Sequence, residues 1–249
     1  MDRLVMALAL VAALGAPAAA RAAPGECPRA REALGPLPGM TAELAAGEPL
    51  TIVALGSSST EGAGASAPAA SYPSRLEAAL RRALPGLPVR VVNAGKSGET
   101  SAEMLARLET DVLPHTPDLV IWQASGNEVL RDADPGAFLA LMREGIRRLR
   151  AAGAEVVLMD NQRAPRIEQR PLAGVFDAAM RALAESERVP LFARSRLMRA
   201  WAAEGLPAPA VLAPDELHHN DRGYACLAEA LSAALLGAVG AGGAQLAER

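Results

Sequence analysis

The chain has 249 residues, 51% of them apolar and only 3% aromatic, with 25 Lys and Arg against 28 Asp and Glu for a net charge of −3. That length suits one α/β domain with a sizeable core of Ala, Leu and Val rather than aromatics. No basic stripe stands out, which argues against nucleic acid as the main partner.

At the N-terminus Arg3 precedes an apolar run, Leu4 to Leu14, and Ala20-Arg21-Ala22 offers small residues for cleavage. The pattern predicts a secretory signal peptide over 1–22, too short and wrongly flanked for a membrane span, and no cysteine follows the run as a lipoprotein anchor would need. The expected product is secreted or periplasmic, without a stable membrane anchor after cleavage; the alternative is an uncleaved anchor helix. Residues 23–48, rich in Ala, Pro, Gly and Glu, read as a lead-in segment with room for one short helix. Cys27 and Cys226 are either a disulfide tying this segment to the last helix or two unpaired thiols.

From 49 to 237 apolar runs alternate with helical patterns. Strands are predicted at 50–55, 89–93, 118–124, 155–160 and 189–193. The runs Leu119-Val120-Ile121-Trp122 and Val156-Val157-Leu158-Met159 are of the kind covered on both faces. Helices are predicted at 71–84, capped by Ser71, at 100–113 from Thr100 or Ser101, and at 135–151, stopping at Gly153. Others fall at 171–187, 195–204 and 221–237. Five strands alternating with helices imply right-handed crossovers, a parallel sheet and one domain. Residues 238–249, rich in Gly and Ala, read as a fraying tail.

The stretch that organises this domain is Val53-Ala54-Leu55-Gly56-Ser57-Ser58-Ser59-Thr60-Glu61-Gly62. A buried strand stops at Gly56 and delivers hydroxyls to the carboxyl edge of the sheet, where ligands of open α/β sheets bind. Ser58 is the candidate nucleophile. A base must come from three histidines, His115, His218 and His219. His115 lies between a helix and a strand, at the amino edge, and reads as a surface residue. His218 and His219 follow Asp215 in a polar loop before the last helix. An imidazole takes a proton from a serine hydroxyl, and a carboxylate on its other nitrogen fixes the tautomer. Asp215 and His218 are therefore a candidate orienter and base. A metal reading of Asp215, His218 and His219 lacks a third well-placed ligand, and no metal is expected. Two more strand ends carry Gly98, whose N–H would face developing negative charge at a helix start, and Asn127, whose amide would donate to it.

Taken in order, Gly56-Ser57-Ser58-Ser59-Thr60, Gly98, Asn127 and Asp215-Glu216-Leu217-His218 resemble the four blocks of the SGNH hydrolases, also called the GDSL esterase/lipase family. The resemblance implies a three-layer α/β/α sandwich with a five-stranded parallel, flavodoxin-like sheet. It also implies a triad of Ser58, His218 and Asp215, an oxyanion hole from Ser58, Gly98 and Asn127, and no cofactor. Ser57, Ser125, Glu128 and His219 depart from the family pattern without removing a catalytic group. The implied activity is hydrolysis of small or medium acyl esters, lysophospholipids or thioesters. The alternatives are an O-acyltransferase or O-acetyl esterase on extracellular polysaccharide, and a non-catalytic carbohydrate-binding module. Partners would be small-molecule or glycan acyl esters. No long apolar lid is visible, which disfavours a lipase working at oil surfaces. Arg163 and Arg166, after the fourth strand, would either meet an anionic substrate group or be solvated loop charges.

Overall fold

A computed structural model describes residues 26–247, with side chains described to Gly240. The predicted signal peptide at 1–22 and the last two residues of the predicted tail lie outside the described residues.

The chain enters through α1 (Pro38–Ala46). There follow β1 (Leu50–Gly56), α2 (Ser58–Glu61), α3 (Tyr72–Ala83), β2 (Val89–Gly95), α4 (Ser101–Ala106), α5 (Leu108–Asp111) and β3 (Leu119–Gln123). The second half runs α6 (Gly126–Leu130), α7 (Pro135–Ala151), β4 (Glu155–Met159), α8 (Pro165–Glu168), α9 (Ala173–Glu187), β5 (Leu191–Phe192), α10 (Arg194–Ala203) and α11 (Asp221–Ala247). The five strands are all parallel and ordered β2-β1-β3-β4-β5. The chain steps outward from β1 to β2 and then crosses back to β3. This reversal opens a crevice outside the carboxyl ends of β1 and β3. On one side α3, α11 and α1 pack together, and on the other α4, α7 and α9.

The three central strands, β1, β3 and β4, are buried along their unbroken apolar runs, whereas the edge strand β2 alternates with exposed Arg90 and Asn93. Ile52 to Leu55, Leu119 to Trp122 and Val157 to Met159 are each sealed from solvent. The core is mostly Leu, Ala and Val, as the composition led one to expect, and the few aromatics join it. All three Phe, both Trp and both Tyr are buried, so aromatics are few but none is spent on the surface. Trp122 lies against Gly145 of α7, where any side chain would collide with the indole.

Several boundaries differ from the pattern. The helix expected over 100–113 breaks at Arg107, whose buried guanidinium turns inward to donate to the carbonyls of Gly56 (3.3 Å) and Ala94 (2.8 Å). Thr100 and Glu103 close a capping box at the start of α4. Ser71 caps nothing; its hydroxyl donates to Pro68 O instead. β5 is only two residues long, and α11 runs to Ala247 rather than ending at 237. In the lead-in segment Cys27 is joined to Cys226 of α11 by a disulfide. The Glu155 carboxylate accepts from Gly39 N and Met40 N at the start of α1.

Candidate active site

Gly56 and Gly95 sit opposite each other at the carboxyl ends of β1 and β2. A side chain at Gly56 would run into Thr60, and one at Gly95 into the backbone of Thr60 and Glu61. With both positions bare, α2 folds back over the sheet edge and lifts Ser58 into the crevice. Ser57, extended at φ −95° and ψ −151°, makes the turn.

His218 comes from the far end of the chain. Its loop is a small hairpin: Ala213 N donates to His218 O, Asn220 N donates to Val211 O, and Leu212 bridges His219. Between the two limbs Asp215 folds back, with Glu216 at φ +56°. One Asp215 oxygen accepts from Leu217 N and His218 N, each at 3.0 Å. The other lies 2.5 Å from His218 Nδ1, and His218 Nε2 lies 2.7 Å from Ser58 Oγ. An ionised carboxylate only accepts, so Nδ1 carries the proton and Nε2 is left to accept from the serine. Partial burial pushes the Asp215 carboxyl up. Donation from the His218 ring and from the two backbone N–H groups outweighs it and holds the group below the usual carboxylate range.

His219 points the other way. It is sealed from solvent, bonded through Nδ1 to Val211 O at 3.1 Å and stacked edge-on to Tyr224. Burial, with the nearby Arg194 charge, drives its pKa down to about 3. Asp215, His218 and His219 therefore do not converge. Among the described residues no group of three or more His, Cys, Asp or Glu is arranged to hold a metal ion. His115 is at the amino edge, beside Arg90.

Gly98 has φ +81°, a left-handed conformation that favours glycine. Its carbonyl is held by Arg131 (2.6 Å). Asn127, in the first turn of α6, donates one amide hydrogen to Glu99 O at 2.7 Å, which ties the loop after β3 to the loop after β2. The Glu61 carboxylate ties the latter to α2 by accepting from the N–H and hydroxyl of Ser97. Ser58, Gly98 and Asn127 thus stand on three cross-linked strand ends.

A serine hydroxyl, an imidazole and a carboxylate in one relay, beside backbone and amide donors, form a site suited to acyl transfer. A family model described as the non-GDSL lipase-like family matches residues 24–241. The chain belongs to that family. Its relatives include an arylesterase of Vibrio mimicus, 30% identical over 64% of this chain and 75% of that protein. Esterase TesA of Pseudomonas aeruginosa is 35% identical over 43% of this chain and 52% of its own length. A crystal structure of TesA superimposes with a TM-score of 0.62 at 26% identity, over 74% of this chain and 97% of that one. A two-domain esterase (CEX) active on acetylated mannans gives 0.71 at 24% identity, a likeness of fold, and the match spans 82% of this chain but only 54% of that one. This SGNH hydrolase is an ester-hydrolysing enzyme.

Four residues that sequence reasoning passed over tie the carboxyl edge of the sheet together. Gln123, ending β3, accepts through one oxygen from Ser57 N (3.1 Å), Ser57 Oγ (3.3 Å) and Thr60 Oγ1 (3.1 Å). Gln162 accepts from Ser59 Oγ (3.3 Å) and donates to Leu217 O (2.8 Å), so one buried amide clamps the serine turn to the histidine loop. Arg107 holds the ends of β1 and β2. Asp160 accepts from Ser195 N and Oγ, and its carbonyl accepts from the fully buried Arg194. The one sequence signal was a polar residue at the very end of an apolar strand, as at Trp122-Gln123.

The two candidate arginines separate. Arg163 pairs with Glu168 across α8 and lines a neighbouring cleft. Arg166 is exposed, and its backbone N–H meets Glu216 O at 3.4 Å. Neither side chain bonds a residue of the relay.

Proposed function

We propose that this enzyme is a serine esterase in which Ser58 is the nucleophile, His218 the general base and Asp215 its orienter. The observation that carries the reading is the pair of contacts at His218, 2.7 Å to Ser58 Oγ and 2.5 Å to Asp215. Ser58 Oγ attacks the ester carbonyl carbon as its proton passes to His218 Nε2. The tetrahedral oxyanion is met by the N–H groups of Ser58 and Gly98 and the second amide hydrogen of Asn127. His218 returns the proton to the departing alcohol, leaving an acyl-serine. Water, deprotonated by the same nitrogen, then releases the acid and restores Ser58. No step calls for a metal or organic cofactor.

Soluble acyl esters suit the surface better than lipid droplets. Among the described residues only Val175 is a large hydrophobic side chain that is exposed, so nothing offers an apolar face to an interface. Short acyl esters, including O-acetyl groups on glycans, are the substrates this favours. The Cys27–Cys226 disulfide supports the secreted or periplasmic location proposed from the N-terminal pattern.

Intact mass after treatment with a fluorophosphonate tests the assignment. One adduct on the wild type and none on Ser58→Ala is expected. An unlabelled wild type that is folded would sink it and return the non-catalytic binding module to the lead.

A further inference from the structure

Beside the relay, between the loop after β4 and the N-terminal halves of α9 and α10, lies a cleft of about 580 Å³ to which the mechanism assigns no part. Its size falls within the range of ligand sites. It shares a wall with the active site. Gln162 lines it while clamping Ser59 to Leu217. Asn161, also in the lining, holds its side-chain oxygen 3.2 Å from where a Cβ on Gly126 would stand, one residue from Asn127.

Two features of the lining point to a ligand. The first is Asn161. Only 2% of it is exposed, yet neither its amide nitrogen nor its oxygen has a partner. Native structures rarely leave such buried groups unpaired. The amide asks for a group that both donates and accepts, which a hydroxyl does and a carboxylate does not. The second is charge. Arg163 is paired with Glu168, and Arg196, which also lines the cleft, is paired with Glu32. Arg181 and Arg199 form no ion pair among the described residues, and with Arg163 they act on the single carboxylate of Asp177. Lined by Arg181 and Arg199 with Asp177 between their charges, the cleft has guanidinium groups to spare for a second carboxylate. On a chain of net charge −3 this is a local reversal of sign. Hydroxyls together with a carboxylate are the functional groups of an acidic sugar. Every aromatic side chain is buried, so recognition here rests on hydrogen bonds and charge rather than stacking.

We propose that this cleft is a subsite for an acidic sugar residue of a glycan whose ester group is presented to Ser58. The proposal rests on the esterase reading above and names its substrate class. The Asn161 amide bonds a sugar hydroxyl, Arg181 and Arg199 hold the carboxylate, and Gln162 joins the occupied cleft to the turn that carries the nucleophile.

The test is calorimetric titration of the Ser58→Ala protein with trigalacturonate and with xylotriose, repeated after adding Arg181→Gln and Arg199→Gln. The acidic trisaccharide is expected to bind at least about tenfold more tightly than the neutral one, a preference of about 1.4 kcal/mol. Added salt should weaken it, and the double substitution should erase it. Equal binding of the two sugars, no binding of either, or a preference that the arginine variants leave intact would each overturn the subsite. Because binding is read without turnover, failure here leaves the fluorophosphonate result standing. A wild type that is not labelled would instead remove the esterase reading, whatever the sugars do.

Discussion

The two edges of the sheet use polar side chains in different ways. At the amino edge each carboxylate fastens a piece of backbone: Asp118 takes Thr51 N at 2.7 Å, and Glu155 takes the first N–H groups of α1. At the carboxyl edge the polar groups serve one another. Gln123, Gln162, Arg107 and Asp160 are buried: the two amides bind the turn that carries Ser58 and the loop that carries His218, Arg107 ties the ends of β1 and β2, and Asp160 ties the end of β4 to α10. Removing a group at the first edge should loosen the fold, whereas removing one at the second should misplace a reacting atom.

The largest effect expected separates the two roles most sharply. Ser58→Ala and His218→Ala should each lower kcat on 4-nitrophenyl acetate by about ten-thousandfold. Melting followed by circular dichroism should be almost unchanged, because both side chains sit in the crevice rather than the core. Ser59→Ala should lose no more than about tenfold, since Ser59 only bonds Gln162 and Gln162 keeps its bond to Leu217. A dead Ser59→Ala beside an active Ser58→Ala would shift the nucleophile by one residue.

The disulfide belongs to the fold and not to the chemistry. It closes a loop of 199 residues, for which chain entropy alone gives about 5 kcal/mol and typical native bridges give about 2–4. Cys27→Ser should cost about 3–5 kcal/mol in urea unfolding, and kcat below the melting range should stay within about twofold. A matching loss of kcat would mean that α11 transmits strain to the histidine loop at its start.

The neighbouring histidines allow a finer version of the same contrast. His219 falls from its ordinary 6.5 to about 3 by burial and the Arg194 charge. Between those values the unfolded chain binds a proton that the native state refuses, so stability drops as pH falls, by about 1.4 kcal/mol per unit. Asp160 acts in the opposite sense. Burial raises it from 3.8 to about 6 against the Ser195 hydrogen bonds and the Arg194 charge. The native state therefore keeps a proton the unfolded chain has lost, and stability falls as pH rises through that window. In the wild type the two slopes oppose each other between about pH 4 and 6. His219→Asn should remove the opposing slope, so that between about pH 4 and 6 the variant's urea midpoint gains less than the wild type's as pH rises. Parallel wild-type and variant profiles would show that His219 protonates freely.

Much of this site is readable from residue types in order. The central strands announce themselves as unbroken apolar runs, and the three residues read as a candidate triad, Ser58, Asp215 and His218, are in mutual contact. What was hidden depends on approach in space. Gln123 reaches Ser57 across 66 residues and Gln162 reaches Ser59 across 103; the end of an apolar strand marks Gln123 as a polar oddity, but nothing local names its partner. His218 and His219 differ only because a short hairpin turns one ring out and the other in. Arg107 broke a well-patterned helix because two strand-end carbonyls needed a donor. If Gln162 is a clamp, Gln162→Leu should lower kcat on 4-nitrophenyl acetate about tenfold with little change in KM, and cost about 1–2 kcal/mol of stability. A change confined to stability would place it with the amino-edge fasteners.

The smallest expected effect is a gain. Ser125 stands between β3 and α6 at φ +83°, left-handed backbone that a side chain adopts at a cost of about 1–3 kcal/mol. Its hydroxyl is buried without a partner, so it gives nothing back. Glycine removes both penalties and adds backbone freedom to the unfolded chain, worth about 0.5–1 kcal/mol in the other direction. Ser125→Gly should therefore stabilise the protein by about 1 kcal/mol in urea unfolding. Its second readout is kcat, because the same residue aims Asn127, two positions on. A more stable protein with unchanged turnover would make the strain incidental. A more stable protein with lower turnover would mean that the serine holds Asn127 on the oxyanion, with stability given up at the carboxyl edge for position.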